Sequence, residues 1–174
     1  MKSRAILLTL LVLVAAAYVA AGAGPAVKAG DTAPLFEGVD QHGKTIRLED
    51  FKGKSDVVLY FYPKDGTPGC TAQACSLRDG YKKIEAAGAV VIGVSADSRE
   101  SHAKFAASHG LPFSILPDPD HTLIKRYGVG MPVLGIAKRT TFVIGRDGKV
   151  RAVIPSARTS DHDRQVLEIL AGTR

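Results

Sequence analysis

Two short and nearly continuous apolar runs constrain the fold of this chain more than any other feature. They occupy residues 56–62 and 90–94, and each has the length of a strand. Runs of this kind are typical of strands that are buried on both faces of a sheet. Between them, residues 71–87 are rich in helix formers and are followed by Gly88, which predicts a helix. The sequence therefore predicts a strand–helix–strand unit.

The same alternation continues to the end of the chain. Residues 98–108 indicate a helix that Ser98 caps and Gly110 ends. Further predicted elements are a hairpin over 38–48, a strand over 113–116, a helix over 122–127, a hairpin of 140–144 with 150–154, and a closing amphipathic helix. This order predicts an α/β fold with a central mixed β-sheet flanked by helices and an N-terminal β-hairpin.

The first residues differ in character from the rest. Lys2 and Arg4 precede an apolar run over residues 5–21 that only Thr9 interrupts, and small residues follow up to Ala23. The pattern indicates either a secretory signal peptide cleaved after Ala23 or an uncleaved membrane anchor. In both cases we expect the protein to be exported, in the periplasm or another extracytoplasmic space. Residues 24–174 then form a single domain.

Composition excludes several classes of function. The formal charge is +6, from 23 basic and 17 acidic residues, without a basic block or interleaved aromatic residues. A nucleic-acid partner is therefore not expected. The chain has two cysteines, too few for a disulfide scaffold or a four-thiolate zinc site. Their chemistry depends on where they lie.

Cys70 lies where a nucleophile is expected. Residues 61–75 run from the end of a buried strand through a loop rich in Pro and Gly to the predicted helix. Cys70 lies in the first turn of that helix. Unpaired backbone N–H groups and the positive end of the helix dipole favour a thiolate there.

Cys75 follows five residues later, about 8.7 Å away between Cα atoms on an ideal helix. A disulfide needs less than about 7 Å, so Cys70 and Cys75 could join only if the first turn unwinds. A static disulfide is the ordinary expectation for an exported protein with two cysteines. The helical spacing instead favours a redox cycle.

The spacing of Pro63, Thr67 and Cys70 matches the active-site motif of peroxiredoxins. Residues 61–79 resemble the peroxiredoxin Q subgroup of the AhpC/TSA family, also called bacterioferritin comigratory protein. The similarity continues through residues 91–98, 110–113, 118–120 and 139–144. The chain departs from the family pattern at Gln73, where an acidic residue is common in the subgroup, and in the loop over 128–138. The resemblance implies a thioredoxin-like fold, reduction of hydrogen peroxide and organic hydroperoxides, and no cofactor or metal.

The resemblance also implies a role for five residues. Cys70 corresponds to the peroxidatic cysteine, which becomes a sulfenic acid, and Cys75 to the resolving cysteine, which forms an intramolecular disulfide with it. Thr67 would orient the peroxide, Pro63 would shield the sulfur, and Arg139 would stabilise the thiolate and the leaving oxygen. Without the resemblance, Arg139 would be interpreted as a surface charge at a strand end. A thioredoxin-like dithiol protein must then reduce the disulfide of this monomeric or weakly associating enzyme.

Two other interpretations stay open on the sequence. An exported thiol–disulfide oxidoreductase usually has Cys-x-x-Cys after Trp, whereas here four residues separate the cysteines and Trp is absent. A Cu(I)-binding protein could use both thiolates with His102 or His109, which share a helical face. That face also carries Phe105, which favours a structural role for the histidines.

Overall fold

The computed structural model describes residues 26–131, 133–155 and 158–172, so the predicted signal or anchor over 1–23 lies outside the described residues. The strands are β1 (Glu37–Val39), β2 (Thr45–Arg47), β3 (Asp56–Phe61), β4 (Ala89–Ser95), β5 (Ser114–Pro117), β6 (Gly130–Met131), β7 (Ile136–Ala137), β8 (Thr140–Ile144) and β9 (Val150–Pro155). The helices are α1 (Pro68–Asp79), α2 (Tyr81–Ala86), α3 (Arg99–His109), α4 (Thr122–Arg126) and α5 (His162–Gly172), with 3-10 turns at Leu48–Phe51 and Thr159–Asp161.

A mixed five-stranded sheet in the order β5-β4-β3-β8-β9 forms the centre of the fold. Strand β3 pairs in parallel with β4 and antiparallel with β8, while β5 and β9 form the edges. All six residues of β3 are buried, as the apolar run predicts. The predicted mixed sheet and the N-terminal hairpin, formed by β1 and β2, are confirmed.

The two faces of β3 pack into separate apolar clusters. Val57, Leu59 and Phe61 face a cluster that includes the N-terminal hairpin and α4. Val58 and Tyr60 face the opposite cluster, to which α1, α3 and α5 contribute. Helix α1 thus packs on one face of the sheet. The loop that joins β3 to α1 fixes the position of Cys70.

The prediction of one helix over residues 71–87 is wrong in two respects. The helix begins earlier, at Pro68, because Pro fits the first helical position without needing its N–H. It also breaks at Gly80, which separates α1 from α2. A Cβ at Gly80 would overlap the Cβ of Asp163, so the glycine permits the start of α5 to approach α1 closely.

The helix over residues 98–108 is found as α3 with the predicted caps. Ser98 Oγ accepts a hydrogen bond from the N–H of Ser101 at 3.3 Å, and Gly110 ends the helix in the left-handed conformation with φ 59°. No helix in the described part of the chain has both the length and the apolar character to cross a bilayer.

The loop over 128–138, which departs from the family pattern, contains a small hairpin. Gly130 and Met131 of β6 pair with Ala137 and Ile136 of β7. Lys138 N–H then donates to the carbonyl of Val129 at 2.7 Å and closes the base of the hairpin. The chain therefore enters β8 from a defined position.

Candidate active site

Cys70 is the third residue of α1 and its side chain is 1% exposed. The first intrahelical bond runs from Thr71 N–H to the Thr67 carbonyl at 2.9 Å. The N–H groups of Gly69 and Cys70 therefore have no acceptor within the helix and lie at its positive end. This turn of backbone favours negative charge on the sulfur or on an oxygen next to it.

Arg139 supplies a full positive charge at the same point. Its Nη2 donates to the Cys70 Sγ at 3.4 Å, and its Nη1 donates to Gln73 Oε1 at 2.5 Å. Gly69 leaves the space that the guanidinium needs, because a Cβ there would lie 3.2 Å from Nη2. A guanidinium in this position stabilises a thiolate and the negative charge that develops on an oxygen leaving it.

Gln73, which departs from the family pattern, lies beside Cys70 and Arg139, although the sequence did not indicate what it contacts. It is fully buried one turn after Cys70 and holds Arg139 through a neutral amide. An amide positions the guanidinium without neutralising its charge. No sequence pattern connects it to Arg139, which lies 66 positions further along the chain.

The other predicted residues lie around this pair. Thr67 is the N-cap residue of α1 and is partly exposed, and its hydroxyl donates to the Lys64 carbonyl at 3.1 Å. Pro63 is partly exposed at the other end of the loop, where β3 has ended. Cys75 is partly exposed further along α1, and both cysteines are free thiols. The structure thus brings Cys70 and Arg139 into direct contact and places Thr67 at the same helix start.

A buried cluster of polar side chains fixes the loop between Pro63 and Thr67. Asp65 Oδ2 lies 2.9 Å from His102 Nδ1 and accepts a hydrogen bond from Ser101 Oγ at 2.7 Å. Its other oxygen accepts from the Tyr62 hydroxyl at 2.6 Å. Burial raises the pKa of Asp65, but the hydrogen bonds from His102 and Tyr62 outweigh burial and leave that pKa below its ordinary value.

The two histidines considered as copper ligands have other surroundings. His102 is fully buried against Asp65, and His109 packs its ring on Phe105 with 5.1 Å between centroids. Over residues 26–131, 133–155 and 158–172, no three or more His, Cys, Asp or Glu side chains form a group that could hold a metal ion.

Two aromatic rings lie in the same apolar cluster as Cys70. Tyr60 is fully buried and stacks on Tyr62 with 5.4 Å between centroids. Burial raises the pKa of Tyr60 far above its ordinary range, and the nearby charges of Asp65, Cys70 and Cys75 raise it further. Tyr60 therefore stays neutral.

Comparison with known proteins assigns this arrangement to a family. The AhpC/TSA family model matches residues 29–153. A putative peroxiredoxin bcp from Coxiella burnetii is 41% identical over 148 residues, which cover 81% of this chain and 97% of that protein. The chloroplastic peroxiredoxin Q of Sedum lineare is 47% identical over 128 residues, which cover 73% of this chain and 68% of the relative.

Solved structures give the same assignment. The crystal structure of peroxidoxin BcpB from Mycobacterium tuberculosis has a TM-score of 0.79 at 39% identity and covers 85% of this chain and 99% of its own. A Xanthomonas campestris bacterioferritin comigratory protein, solved in a study of alkyl peroxide reduction, has a TM-score of 0.73 at 28% identity and covers 80% of this chain and 96% of its own.

The fold and the site define a thioredoxin-like thiol peroxidase, an oxidoreductase that uses a cysteine sulfur. The chain belongs to the AhpC/TSA family of peroxiredoxins, and its relatives place it with the bcp and peroxiredoxin Q proteins.

Proposed function

We propose that the protein reduces hydrogen peroxide and organic hydroperoxides through a cycle of two cysteines, with Cys70 as the peroxidatic residue. The observation that carries this proposal is the contact of 3.4 Å between Arg139 Nη2 and Cys70 Sγ. Among the described residues, Cys75 is the only other cysteine. Organic hydroperoxides are included because the Xanthomonas relative was studied for alkyl peroxide reduction.

In the first step the Cys70 thiolate attacks one oxygen of the peroxide. The S–O bond forms as the O–O bond breaks, and hydroxide or alkoxide leaves and takes up a proton. Sulfur is oxidised to sulfenic acid and the peroxide is reduced. Arg139 stabilises the thiolate and the charge on the leaving oxygen, while Thr67 orients the peroxide and Pro63 shields the sulfur from water.

In the second step the thiolate of Cys75 attacks the Cys70 sulfenic acid. The two residues are separated by more than a turn of α1, so the first turn must unwind before the sulfurs can meet. That turn contains Gly69, and a glycine inside a helix costs about 1 kcal/mol relative to alanine. Thr67 also provides no side-chain cap.

In the third step a dithiol protein of the thioredoxin type reduces the Cys70–Cys75 disulfide and restores both thiols. The N-terminal sequence pattern supports an extracytoplasmic location, either free after cleavage or held by an anchor. The electron donor would then also have to be extracytoplasmic.

Mass spectrometry after addition of one equivalent of hydrogen peroxide tests this cycle. The wild type should form an intramolecular disulfide, and Cys75→Ser should instead hold a sulfenic acid that a dimedone probe traps on Cys70. Labelling on another residue, or a wild type that keeps both thiols, would contradict the proposal. Disulfide exchange with substrate proteins without peroxide consumption would favour the thiol–disulfide oxidoreductase.

A further inference from the structure

The hydroxyl of Thr67 directs its hydrogen at the loop that precedes it. Thr67 Oγ1 donates to the carbonyl of Lys64 at 3.1 Å. A hydroxyl has one hydrogen to donate and two lone pairs with which to accept. Because the hydrogen points at Lys64, the Thr67 oxygen faces a peroxide as an acceptor for its O–H group. The direction of the Lys64 carbonyl therefore determines how Thr67 presents its oxygen.

The Lys64 carbonyl belongs to a peptide unit that is also held at its other end. The same unit carries the N–H of Asp65, which donates to Asp97 Oδ2 at 3.0 Å. A peptide unit is planar, and in the trans form its C=O and N–H point in opposite directions. A hydrogen bond to the N–H therefore also sets the direction of the C=O. Asp97 thus controls the carbonyl that receives the Thr67 hydroxyl.

Asp97 is itself fixed by the end of β4. Ser95, the last residue of that strand, is fully buried. Its Oγ donates to Asp97 Oδ2 at 2.6 Å and accepts the N–H of Asp97 at 3.2 Å. Strands β3 and β4 run in parallel, so the loops that carry Asp65 and Asp97 leave the sheet side by side. The central sheet therefore holds the carboxylate next to the loop that leads to Cys70.

The loop between Lys64 and Thr67 has the shape that this arrangement needs. Gly66 adopts the left-handed conformation with φ 70°, which is readily accessible to glycine, and the chain folds back there. The side chain of Asp65 points to α3, where it bonds Ser101 and His102. The peptide between Lys64 and Asp65 is thus bordered by two anchored groups, and its N–H is the one that Asp97 holds.

We propose that Asp97 is a positioning residue for the reaction with peroxide, which acts through the peptide between Lys64 and Asp65 on the hydroxyl of Thr67. This inference rests on the proposed function, in which Cys70 attacks the peroxide and Thr67 orients it. The hydrogen bonds of Asp97 run to Ser95 and Asp65, so its effect reaches the peroxide through Thr67.

Quenched-flow mass spectrometry of the reduced full chain follows the loss of the Cys70 thiol after mixing with hydrogen peroxide. In Asp97→Ala we expect the second-order rate constant to fall about tenfold, because Thr67 is no longer held in the orientation that accepts from the peroxide. Asp97→Asn keeps an acceptor oxygen without the charge, and its rate constant should lie between those of the wild type and Asp97→Ala.

Asp147→Ala is the matched control. Asp147 Oδ1 also accepts a backbone N–H, that of Lys149 at 3.1 Å. It lies in the turn after β8, at the opposite end of that strand from Arg139. Asp147→Ala should therefore leave the rate constant unchanged.

A double-mutant cycle distinguishes positioning of Thr67 from a general loosening of the loop. Thr67→Val lacks the hydroxyl, so adding Asp97→Ala to it should cause no further loss of rate. Thr67→Ser keeps the hydroxyl, and there Asp97→Ala should again slow the reaction about tenfold. If Asp97→Ala does not fold, Asp97→Asn takes its place in the same cycle.

An unchanged rate constant in Asp97→Ala would overturn the proposal, and so would a loss that adds in full to that of Thr67→Val. The proposed function would fail separately, if Cys70 of the wild type did not react with hydrogen peroxide.

Discussion

The buried amide of Gln73 accepts a hydrogen bond from Arg139, with 2.5 Å between Oε1 and Nη1. The guanidinium is thereby aimed at Cys70 Sγ, and its positive charge is not cancelled by a carboxylate at this position. The charge therefore acts on the sulfur.

Gln73→Glu tests the importance of that neutrality. A carboxylate would pair with Arg139 and weaken its effect on Cys70, so we expect the reaction with hydrogen peroxide to slow about tenfold at neutral pH, equivalent to about 1.4 kcal/mol. Gln73→Met is the control, because it removes the hydrogen bond without adding charge. An unaltered rate with hydrogen peroxide in Gln73→Glu would refute this view of the site.

Replacing Arg139 should affect the first step most strongly. Arg139→Met removes the donor that contacts Cys70, and loss of one such donor costs about 10² to 10³ in rate. Arg139→Lys should recover part of that loss because charge is kept without the second hydrogen bond. The measurement is the second-order rate with peroxide, and equal rates for wild type and Arg139→Met would contradict the proposed role.

The Asp65 cluster should make stability depend on pH in the acid range. Because the folded protein lowers the pKa of Asp65, the folded state binds fewer protons there than the unfolded state. The stabilisation is present above the unfolded pKa of about 4 and is lost as pH falls through the lower folded value. Asp65→Asn should weaken the dependence of the free energy of unfolding on pH in this range. It should also lower that free energy by about 2 kcal/mol.

Urea unfolding at several acid pH values measures both effects. Glu37→Gln serves as the control, since Glu37 is an exposed carboxylate paired with Arg47. The loss of stability on acidification should be the same in Glu37→Gln as in the wild type. If Asp65→Asn kept the wild-type acid dependence, the cluster would not be its source.

His162 predicts a second pH dependence, nearer to neutrality. It is fully buried, with its Nε2 at 2.9 Å from Thr141 Oγ1, and burial lowers its pKa. As pH falls from about 6.5, the unfolded chain therefore takes up a proton before the folded one, and stability decreases. His162→Gln should remove this decrease. If the free energy of unfolding fell with the same slope in the wild type and in His162→Gln between pH 7 and the folded pKa of His162, this explanation would be disproved.

At Gly80, the packing of α5 on α1 is sensitive to any added side-chain atom. Gly80→Ala should destabilise the protein by about 1 to 3 kcal/mol, because the new Cβ would overlap Asp163. Gly172→Ala is the matched control, as a Cβ there would meet no atom within 4 Å. Thermal unfolding compares the two, and an equally stable Gly80→Ala protein would contradict the close approach.

The sequence predicts those parts of the fold that depend on local patterns. The apolar runs locate β3 and β4, Ser98 and Gly110 delimit α3, and the stretch before Cys70 places it at a helix start. These features depend on residues close together in the chain. Local patterns therefore suffice to predict these elements and the position of Cys70.

Long-range contacts explain what local patterns could not predict. The close approach of Asp163 to Gly80 is one such contact, which only the tertiary fold brings about. The same holds for the contact between Gln73 and Arg139 and for that between Asp65 and His102. Arg139 was identifiable only through the family resemblance, because alone it reads as a charge at a strand end.

The rate of hydrogen peroxide consumption by reduced Cys70→Ser, compared with the wild type and Cys75→Ser, tests the central claim most directly. We predict that Cys70→Ser loses the reaction completely, whereas Cys75→Ser keeps a fast first reaction but does not turn over with a thioredoxin-like donor. Undiminished peroxide consumption by Cys70→Ser would contradict the account.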